Sequence, residues 1–225
     1  MAHESASMKL ISVNCGLPRE VEWHGRSVTT AIYKEPVKGR VALGKLNLDG
    51  DRQADLSVHG GADKAVYCYP AGHYDYWKAE LPDRELPLGM FGENFTIDGL
   101  IEDSVHIGDR FSVGSAEVVV TQPRLPCYKL AVRFESDGMV KRFLASRRTG
   151  FYLAVTHEGE DGAGDEITPI SRDTNSVPVP WITRLYLTKE YSSVDIAELK
   201  RIVMIPTLPI GWKEYFRERL QGTSP

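Results

Sequence analysis

The segment at residues 121–130, TQPRLPCYKL, holds Cys127, the cysteine with the clearest chemical potential in this chain. It follows a strongly apolar predicted strand, and two prolines stiffen the connection. A helix is predicted to begin at the cysteine, because Pro126 suits the approach to a first helical turn. A helix N-terminus, with Arg124 and Lys129 close in sequence, favours a thiolate over a thiol. Cys127 is therefore a candidate metal ligand or nucleophile, and the alternative is a buried cysteine in a proline-rich turn.

Residues 58–66, VHGGADKAV, place two adjacent glycines just before a predicted strand. Glycines in this position allow backbone amides to point at an anion, and Lys64 adds a point charge. The spacing differs from that of a Walker loop. His59, Gly60, Gly61 and Lys64 are therefore candidate binding residues, although a tight turn with a solvated lysine and a structural histidine explains the same segment.

A third segment, MFGENF at residues 90–95, combines Gly92 with two polar side chains. Glu93 has the chemistry to take or give a proton, and Asn94 has the donors and acceptor to bond the edge of a heterocycle. Taken alone, this pattern is not specific to any one reaction.

The remaining chemistry-bearing residues indicate a reducing environment and few other cofactors. Cys68 lies in an apolar run and is predicted to be a buried core residue. The three cysteines lack zinc-site spacing, and the sequence has no nicotinamide, flavin, iron–sulfur or serine-elbow motif. Residues 161–165, DGAGD, lack the ligand spacing of a calcium loop and predict a hairpin turn. An odd number of separated cysteines is typical of a reducing compartment, so the cytoplasm is expected.

Bulk composition excludes several classes of protein. The chain has 225 residues, 42% of them hydrophobic, and a formal net charge of −4. A general nucleic-acid binder usually has an excess of basic residues, so general nucleic-acid binding is not expected for this chain. No apolar stretch approaches the roughly 18–20 residues of a membrane helix, so no membrane partner is expected. Residues 1–7 lack the apolar core of a secretory signal and are predicted to be a flexible tail.

Short apolar runs separated by turns dominate residues 8–171 and predict a β-rich α+β fold. Because the strands are many and the turns rich in glycine, a barrel or sandwich is favoured over a parallel sheet. The predicted strands are 9–13, 27–33, 65–69, 94–97, 110–113, 116–121, 151–156 and 166–170.

Helical periodicity appears at residues 72–80 and 139–146. The basic cluster at 141–148 is either a solvated face or a docking site for an acidic partner. Residues 172–179 are polar and contain proline, which predicts a linker. Residues 180–222 then form a predicted three-helix extension, with helices at 183–190, 194–205 and 211–220. Ser193 and Asp195 are predicted to cap the second of these, and the extension is expected to pack on the sheet or on another subunit.

Together these segments resemble the MOSC family, which is named for the C-terminal domain of molybdenum cofactor sulfurases, and its small bacterial YiiM-like branch. The resemblance covers residues 8–171 and is strongest in three blocks: LDGDRQADLSVHGGADKAVYCYPAGHYDYW (48–77), FGENFTIDGLIEDSVHIGDRFSVG (91–114) and VTQPRLPCYKL (120–130). It implies a MOSC β-barrel with peripheral helices and a small C-terminal three-helix unit.

The resemblance also implies an activity and its residues. It implies a molybdenum–pterin cofactor, molybdopterin, with Cys127 as the molybdenum ligand, and reduction of N-hydroxylated compounds such as hydroxylamino-purines and amidoximes. Electrons would come from an external reductase, and Cys127, His59 and Glu93 are the expected catalytic residues, with His59, Glu93 or a water molecule as the proton donor. A homodimer is left open. The expected cofactor-binding residues are His59, Gly60, Gly61, Lys64, Asn94, Gln122, Arg124 and Lys129.

Three other functions fit an activated Cys127. A sulfur carrier or transferase would carry a persulfide on the same thiolate. A non-catalytic protein would bind or store the cofactor without turnover. A thiol hydrolase would need a histidine or aspartate partner, and none is apparent near Cys127 in the sequence.

Overall fold

A computed structural model of the chain describes residues 7–55, 60–174 and 176–222. Strands form most of the first three-quarters, and helices dominate the end. The strands are β1 (Lys9–Cys15), β2 (Arg19–Trp23), β3 (Arg26–Thr30), β4 (Glu35–Pro36), β5 (Arg40–Leu43), β6 (Val66–Pro70), β7 (Phe95–Asp98), β8 (Arg110–Val113), β9 (Ala116–Pro123), β10 (Phe151–His157), β11 (Gly159–Gly162) and β12 (Ile167–Ser171).

The main element is an eight-stranded sheet with the order β12-β8-β9-β10-β6-β7-β1-β4. Its neighbours pair antiparallel except for β6 and β7, which are parallel. Backbone bonds from Ile167 N to the oxygen of Met8 (2.8 Å) and from Leu10 N to the oxygen of Asp165 (2.9 Å) join β1 to the entry of β12. These bonds link the edge strand β12 to β1, which is next to last at the other side of the sheet. The predicted β-rich α+β class is therefore confirmed.

Apolar alternation explains where the strands face. In β10, Phe151, Leu153 and Val155 are buried while the residues between them are half-exposed, as the two-residue period of a strand requires. The central strand β9 is buried along most of its length. Strands β2 and β3 form a separate polar ribbon. The segment predicted as one strand at 27–33 ends at Thr30, after which the chain leaves the ribbon.

The predicted hairpin turn at 161–165 is only partly correct. Residues Gly159–Gly162 form β11, which pairs with β5 through a register of Asp161 with Val41. The turn itself is confined to the following residues, where Asp165 N bonds the oxygen of Gly162 at 3.1 Å. Pairing with a strand distant in sequence is what the local turn pattern could not reveal.

The described helices are α1 (Gly72–Glu80), α2 (Tyr128–Phe134), α3 (Met139–Ser146), α4 (Val179–Leu187), α5 (Ser193–Ile202) and α6 (Ile210–Gln221). The predicted helices at 72–80 and 139–146 are confirmed. The capping prediction at Ser193 is wrong, because Ser192 is the N-cap of α5: its hydroxyl accepts from Asp195 N, and Asp195 accepts from Ser192 N. A reciprocal capping box needs this three-residue separation, which Ser193 does not have to Asp195.

Helices α4 to α6 pack on the sheet. Their buried residues Ile182, Leu199 and Phe216 belong to the same apolar core as the inward side chains of the strands. The predicted linker is held in part by backbone bonds, from Ile107 N to the oxygen of Val177 (2.9 Å) and from Val179 N to the oxygen of Val105 (2.9 Å). Packing on the sheet is thus confirmed, while the division of the chain at 171 stays a prediction.

A second, aromatic cluster packs helices α1, α2 and α3 against β6. Tyr69 stacks on Phe91 with ring centroids 4.6 Å apart, and Trp77 stacks on Phe143 at 5.7 Å. Such pairs stabilise beyond their buried area and give this side of the sheet a rigid support. Within the described residues, no helix combines the length and apolarity that crossing a bilayer would need.

Candidate functional site

Cys127 lies at the junction of β9 and α2. The residue has an extended conformation (φ −112°, ψ 173°) and occupies the N-cap position of α2, and its carbonyl accepts the first helical bond from Leu130 N at 3.0 Å. Just before it, Pro123 is still paired with Phe151 of β10. The helix therefore begins directly after the cysteine, as predicted. The thiol is half-buried, whereas Cys15 and Cys68 are buried.

Arg124 is the most unusual charged residue near Cys127. It is only 5% exposed, and its backbone N bonds the oxygen of Gly150 at 3.1 Å. The guanidinium lies 4.9 Å from the ring centre of Tyr67 and 5.2 Å from that of Phe143. Its Nη1 is buried without a hydrogen-bond partner among the described residues. A buried donor left in this way is costly, so the arrangement is suited to an additional acceptor.

Electrostatics keep Arg124 charged. Burial alone lowers the pKa of Arg124, but nearby Tyr67, Tyr152 and Cys127 raise it, and the net direction is upward. In turn, burial raises the pKa of Tyr67 and of Tyr152, and the positive charge of Arg124 offsets part of that rise. The two phenols therefore remain neutral beside a permanent cation.

A cationic cavity lies beside Cys127 and Arg124. Its interior volume is about 90 Å³, and the space reaches about 590 Å³ when the open solvent at its mouth is included. None of its described lining residues is an aspartate or glutamate, although the chain as a whole has a net charge of −4. Its basic lining residues are Lys34, Arg52, Lys64, Arg124 and Lys129.

The cations of this cavity differ in how they are held. Lys34 is buried and ion-paired with Asp51, so its charge is largely compensated. Lys64 is partly buried; burial lowers its pKa, and the neighbouring carboxylate of Asp63 offsets part of the effect. Lys129 is 9% exposed in the first turn of α2. The excess positive charge that remains favours an anionic ligand.

A second hollow, here the aromatic cleft, also reaches Cys127. It measures about 1,350 Å³ including its open mouth, and Lys64, Cys127 and Tyr152 line both it and the cationic cavity. Its other walls come from the loop at 60–63, the segment 122–126 and the helices α4 and α6. Cys127 is thus shared by two hollows of different chemical character.

The structure brings most of the sequence-predicted residues to these two hollows. His59 lies outside the described residues. The cationic cavity is lined by Lys64, Asn94, Arg124, Cys127 and Lys129, and the aromatic cleft by Gly60, Gly61, Lys64, Gln122 and Cys127.

Glu93 lines neither hollow. It is fully buried, and its carboxylate accepts from Gly89 N (2.9 Å), Phe91 N (3.1 Å), Thr96 Oγ1 (2.9 Å) and the hydroxyl of Tyr74. Burial raises its pKa, and these bonds lower it in part. The geometry gives Glu93 a structural task in holding the loop before β7, and its catalytic role stays a prediction.

Asn94 is also engaged in the fold. Its amide nitrogen donates to Asp51 Oδ2 at 2.9 Å and to the oxygen of Asn14 at 3.3 Å, and its oxygen accepts from Tyr67 N at 3.1 Å. It therefore positions the strand that carries Tyr67.

Sequence reasoning missed several lining residues of the cationic cavity. Lys34 and Arg52 carry no motif, since they lie in irregular segments far from Cys127 in the chain. Tyr152 is opposite Gln122 in the β10–β9 register, and that pairing is what places it beside the cysteine loop. Alternation in the predicted strands at 65–69 and 151–156 places Tyr67 and Tyr152 on defined faces of their strands. The sequence does not show which other segment those faces pack against.

Comparisons with known proteins agree with this arrangement. The MOSC domain family model matches residues 55–168. The protein YflK of Bacillus subtilis is 38% identical over 216 residues, which is 96% of each chain. A protein named Reductase from Gibberella moniliformis is 32% identical over 183 residues, and the match spans 80% of this chain but 32% of the longer protein.

A solved structure matches over nearly the whole length. The crystal structure of YiiM from Geobacillus stearothermophilus has a TM-score of 0.79 and 34% identity, covering 95% of this chain and 99% of that chain. The similarity therefore includes the C-terminal helices, which lie beyond the segment matched by the family model.

Proposed function

Because the chain belongs to the MOSC domain family, we propose that it is a molybdenum–pterin oxidoreductase that reduces N-hydroxylated compounds. The observation that carries the proposal is the cationic cavity, which Arg124 and Cys127 both line, together with the buried Nη1 of Arg124, which has no hydrogen-bond partner among the described residues. The relative named Reductase supports reductive chemistry in this family.

The described residues fit an anionic cofactor of this kind. A pterin that ends in a phosphate needs hydrogen-bond donors and positive charge, and Arg124, Lys64 and Lys129 provide both. The unpaired Nη1 of Arg124 gains a partner when a phosphate oxygen lies against it. Cys127 offers a soft sulfur ligand, which suits a molybdenum centre. Arg124, Lys64, Lys129 and Cys127 would therefore hold the cofactor.

When bound, the cofactor supplies the two-electron removal of oxygen from an N–OH group, which consumes two protons and yields an amine-type product and water. The protein binds, orients and shields. Tyr67 and Tyr152, kept neutral by burial, wall the cavity, and the Tyr67 hydroxyl donates to the oxygen of Thr149 at 2.8 Å. The buried ring of Tyr67 and the partly buried ring of Tyr152 limit access of water to the space beside Cys127.

Electrons must come from a separate reductase, since the sequence holds no flavin, nicotinamide or iron–sulfur motif. We place the reaction in the cytoplasm, in keeping with three well-separated cysteines. The substrates we propose are small N-hydroxylated molecules, including hydroxylamino-purines and amidoximes.

Metal content tests the proposal directly. Protein purified from cells with an intact cofactor pathway is expected to carry near-stoichiometric molybdenum, measured by mass spectrometry of the metal, together with the fluorescence of the oxidised pterin. Cys127→Ser is expected to lose both metal and N-reductase activity. Cys15→Ser is the matched control, because a serine there can keep the contact that Cys15 makes with the oxygen of Asp49.

Other outcomes point elsewhere. Full molybdenum content and activity in Cys127→Ser would refute the role of this sulfur. A persulfide on Cys127 without molybdenum would favour the sulfur-carrier function, and bound cofactor without turnover in the presence of a competent electron donor would favour storage.

The role of Arg124 is tested separately. Arg124→Met is expected to lower the cofactor content at least tenfold, because it removes the buried cation and its unsatisfied donor. The control is Arg133→Met, since Arg133 also has a half-buried guanidinium over an aromatic ring, that of Tyr33 at 4.6 Å, but does not line the cavity. Equal cofactor loss in the two variants, with both folded by circular dichroism, would contradict the assignment.

A further inference from the structure

The aromatic cleft differs from the cationic cavity in its lining. Its charged lining residues among the described part of the chain are Lys64 and Asp63. The remaining walls are formed by glycines, prolines, aliphatic side chains and aromatic rings. An anion is thus favoured in the cavity, and a neutral, flat group is favoured in the cleft.

Three aromatic side chains of the C-terminal helices form one wall of the cleft. They are Tyr186 of α4 and Trp212 and Tyr215 of α6. The ring of Tyr186 lies 5.5 Å from that of Trp212 at an interplanar angle of 76°, and 5.2 Å from that of Tyr215 at 43°. Tyr186 is 37% exposed, whereas Trp212 and Tyr215 are partly buried and pack against the core while lining the cleft.

The wall is fixed relative to Cys127 by hydrogen bonds. Trp212 Nε1 donates to Gln122 Oε1 at 2.8 Å, and Gln122 Nε2 donates to the oxygen of Asp63 at 3.2 Å. Thr121 Oγ1 donates to the same oxygen at 2.7 Å. Gln122 is therefore a positioning residue that ties α6 and the 60–63 loop to the strand leading to the cysteine.

The lining of the cleft also leaves room for a flat group. Gly61 has a φ of +98°, and a side-chain carbon placed there would meet nothing within 4 Å. Pro123, Leu125 and Pro126 continue this wall toward Cys127 with apolar surface. A planar ring can lie between such a surface and aromatic side chains without losing hydrogen bonds to water.

From these observations we propose that Tyr186, Trp212 and Tyr215 form a recognition site for an aromatic ring of the substrate. The site would favour N-hydroxylated compounds whose N–OH group is attached through a flat ring system over aliphatic ones with the same reacting group. This inference rests on the proposed function, because it assigns the reacting group to the side of Cys127. It also gives the C-terminal helices a task in selecting the substrate.

Two amidoximes that differ only in the ring test the proposal. Benzamidoxime and acetamidoxime carry the same N–OH group, and kcat/KM for each is measured with the molybdenum-loaded protein and reduced methyl viologen as electron donor. Their binding to the same protein is measured calorimetrically without a reductant, so that no turnover occurs. Trp212→Leu is expected to lower the affinity and kcat/KM for benzamidoxime about tenfold and to change those for acetamidoxime less than twofold, since loss of one ring contact is worth roughly 1.4 kcal/mol.

Matched variants separate recognition from folding. Trp181→Leu removes another partly buried tryptophan of the C-terminal helices, one that lines the groove between α3 and α4 instead of the cleft. It is expected to treat both substrates as the unchanged protein does. Tyr186→Leu provides a second ring deletion, at a partly exposed position, if Trp212→Leu fails to fold.

The outcomes are distinguishable from those that concern the proposed function. If both amidoximes are reduced and the ring deletions affect them equally or not at all, the oxidoreductase proposal stands and the recognition site is overturned. If molybdenum-loaded protein reduces neither compound, the proposed function is refuted and the substrate assignment with it. A selective loss for benzamidoxime in both binding and turnover supports the recognition site.

Discussion

Asp161 is expected to make the stability of this protein fall as the pH rises from about 4 to 7. The residue is fully buried in β11, and both carboxylate oxygens lack a hydrogen-bond partner among the described residues. The nearby guanidinium of Arg40 donates instead to Asp165 at 3.0 and 3.1 Å. Burial, followed by the charge of Asp165, raises the pKa of Asp161 from 3.8 to about 7, against the opposing effect of Arg40.

The direction and magnitude of this pH dependence of the unfolding free energy follow from proton linkage. Below pH 4, both the folded and the unfolded chain carry the proton, and the shift costs nothing. Between pH 4 and 7 only the unfolded chain releases it, so the free energy of unfolding falls, and above pH 7 the loss is complete. A shift of about three pKa units, at 1.36 kcal/mol each, corresponds to about 4 kcal/mol. That is a large part of the roughly 5–15 kcal/mol that stabilises a typical domain.

Urea unfolding of the unchanged protein and of Asp161→Asn, from pH 4 to pH 8, measures this effect. The amide cannot ionise, so the difference in unfolding free energy between the two proteins is expected to move by about 4 kcal/mol in favour of the variant as the pH rises. The other titrating groups are common to both proteins, and those that do not interact with Asp161 cancel. Asp98→Asn, at an exposed position at the end of β7, is the control for loss of one carboxylate. Parallel pH profiles for the unchanged protein and Asp161→Asn would refute the reasoning.

Three further changes probe the support of the site. Lys34→Met is expected to cost about 3–5 kcal/mol in urea unfolding, because it leaves a buried carboxylate without its cation; a loss below 1 kcal/mol would contradict this. Gly150→Ala is expected to unfold the protein or to lower its urea midpoint strongly, because the new carbon would lie 2.3 Å from the backbone oxygen of Cys68 at a φ of +70°. Gly164→Ala is the control: its φ is +97° but the space around it is open, so it should cost only about 1–2 kcal/mol. Ser192→Ala is expected to cost about 1 kcal/mol through loss of the helix cap, and Ser193→Ala much less; equal costs would argue against the capping box.

Local signals were sufficient for much of the fold. The strand at 110–113 and the helices at 72–80 and 139–146 are bounded by glycine, proline or turn residues, and their bounds were predictable from those residues. Strands β2, β4, β5 and β11 were missed, because each is short, partly or wholly polar and defined by its pairing with another strand. Such strands exist through pairing, and pairing leaves little trace in local composition.

The candidate site also contains residues that local sequence predicts and residues that only the tertiary fold brings together. Cys127 and Arg124 could be identified from the sequence, because a proline-rich segment between a strand and a helix marks a rigid junction. Glu93 was assigned from its residue type alone, and the fold surrounds it with donors from its own loop. Lys34 and Trp212 reach the site from opposite ends of the chain, and only the sheet order and the packing of α6 bring them there.

The position of β1 between β7 and β4 has a practical consequence for shortened forms of this protein. The family match begins at residue 55, and a fragment cut there would lack β1 to β5. The hydrogen-bonding edge of β7 that β1 normally covers would then lie open, and such an edge recruits strands from other molecules. The bounds of the family match are therefore not the bounds of a soluble fragment. We expect a soluble fragment to need the fifty or so residues before residue 55 as well.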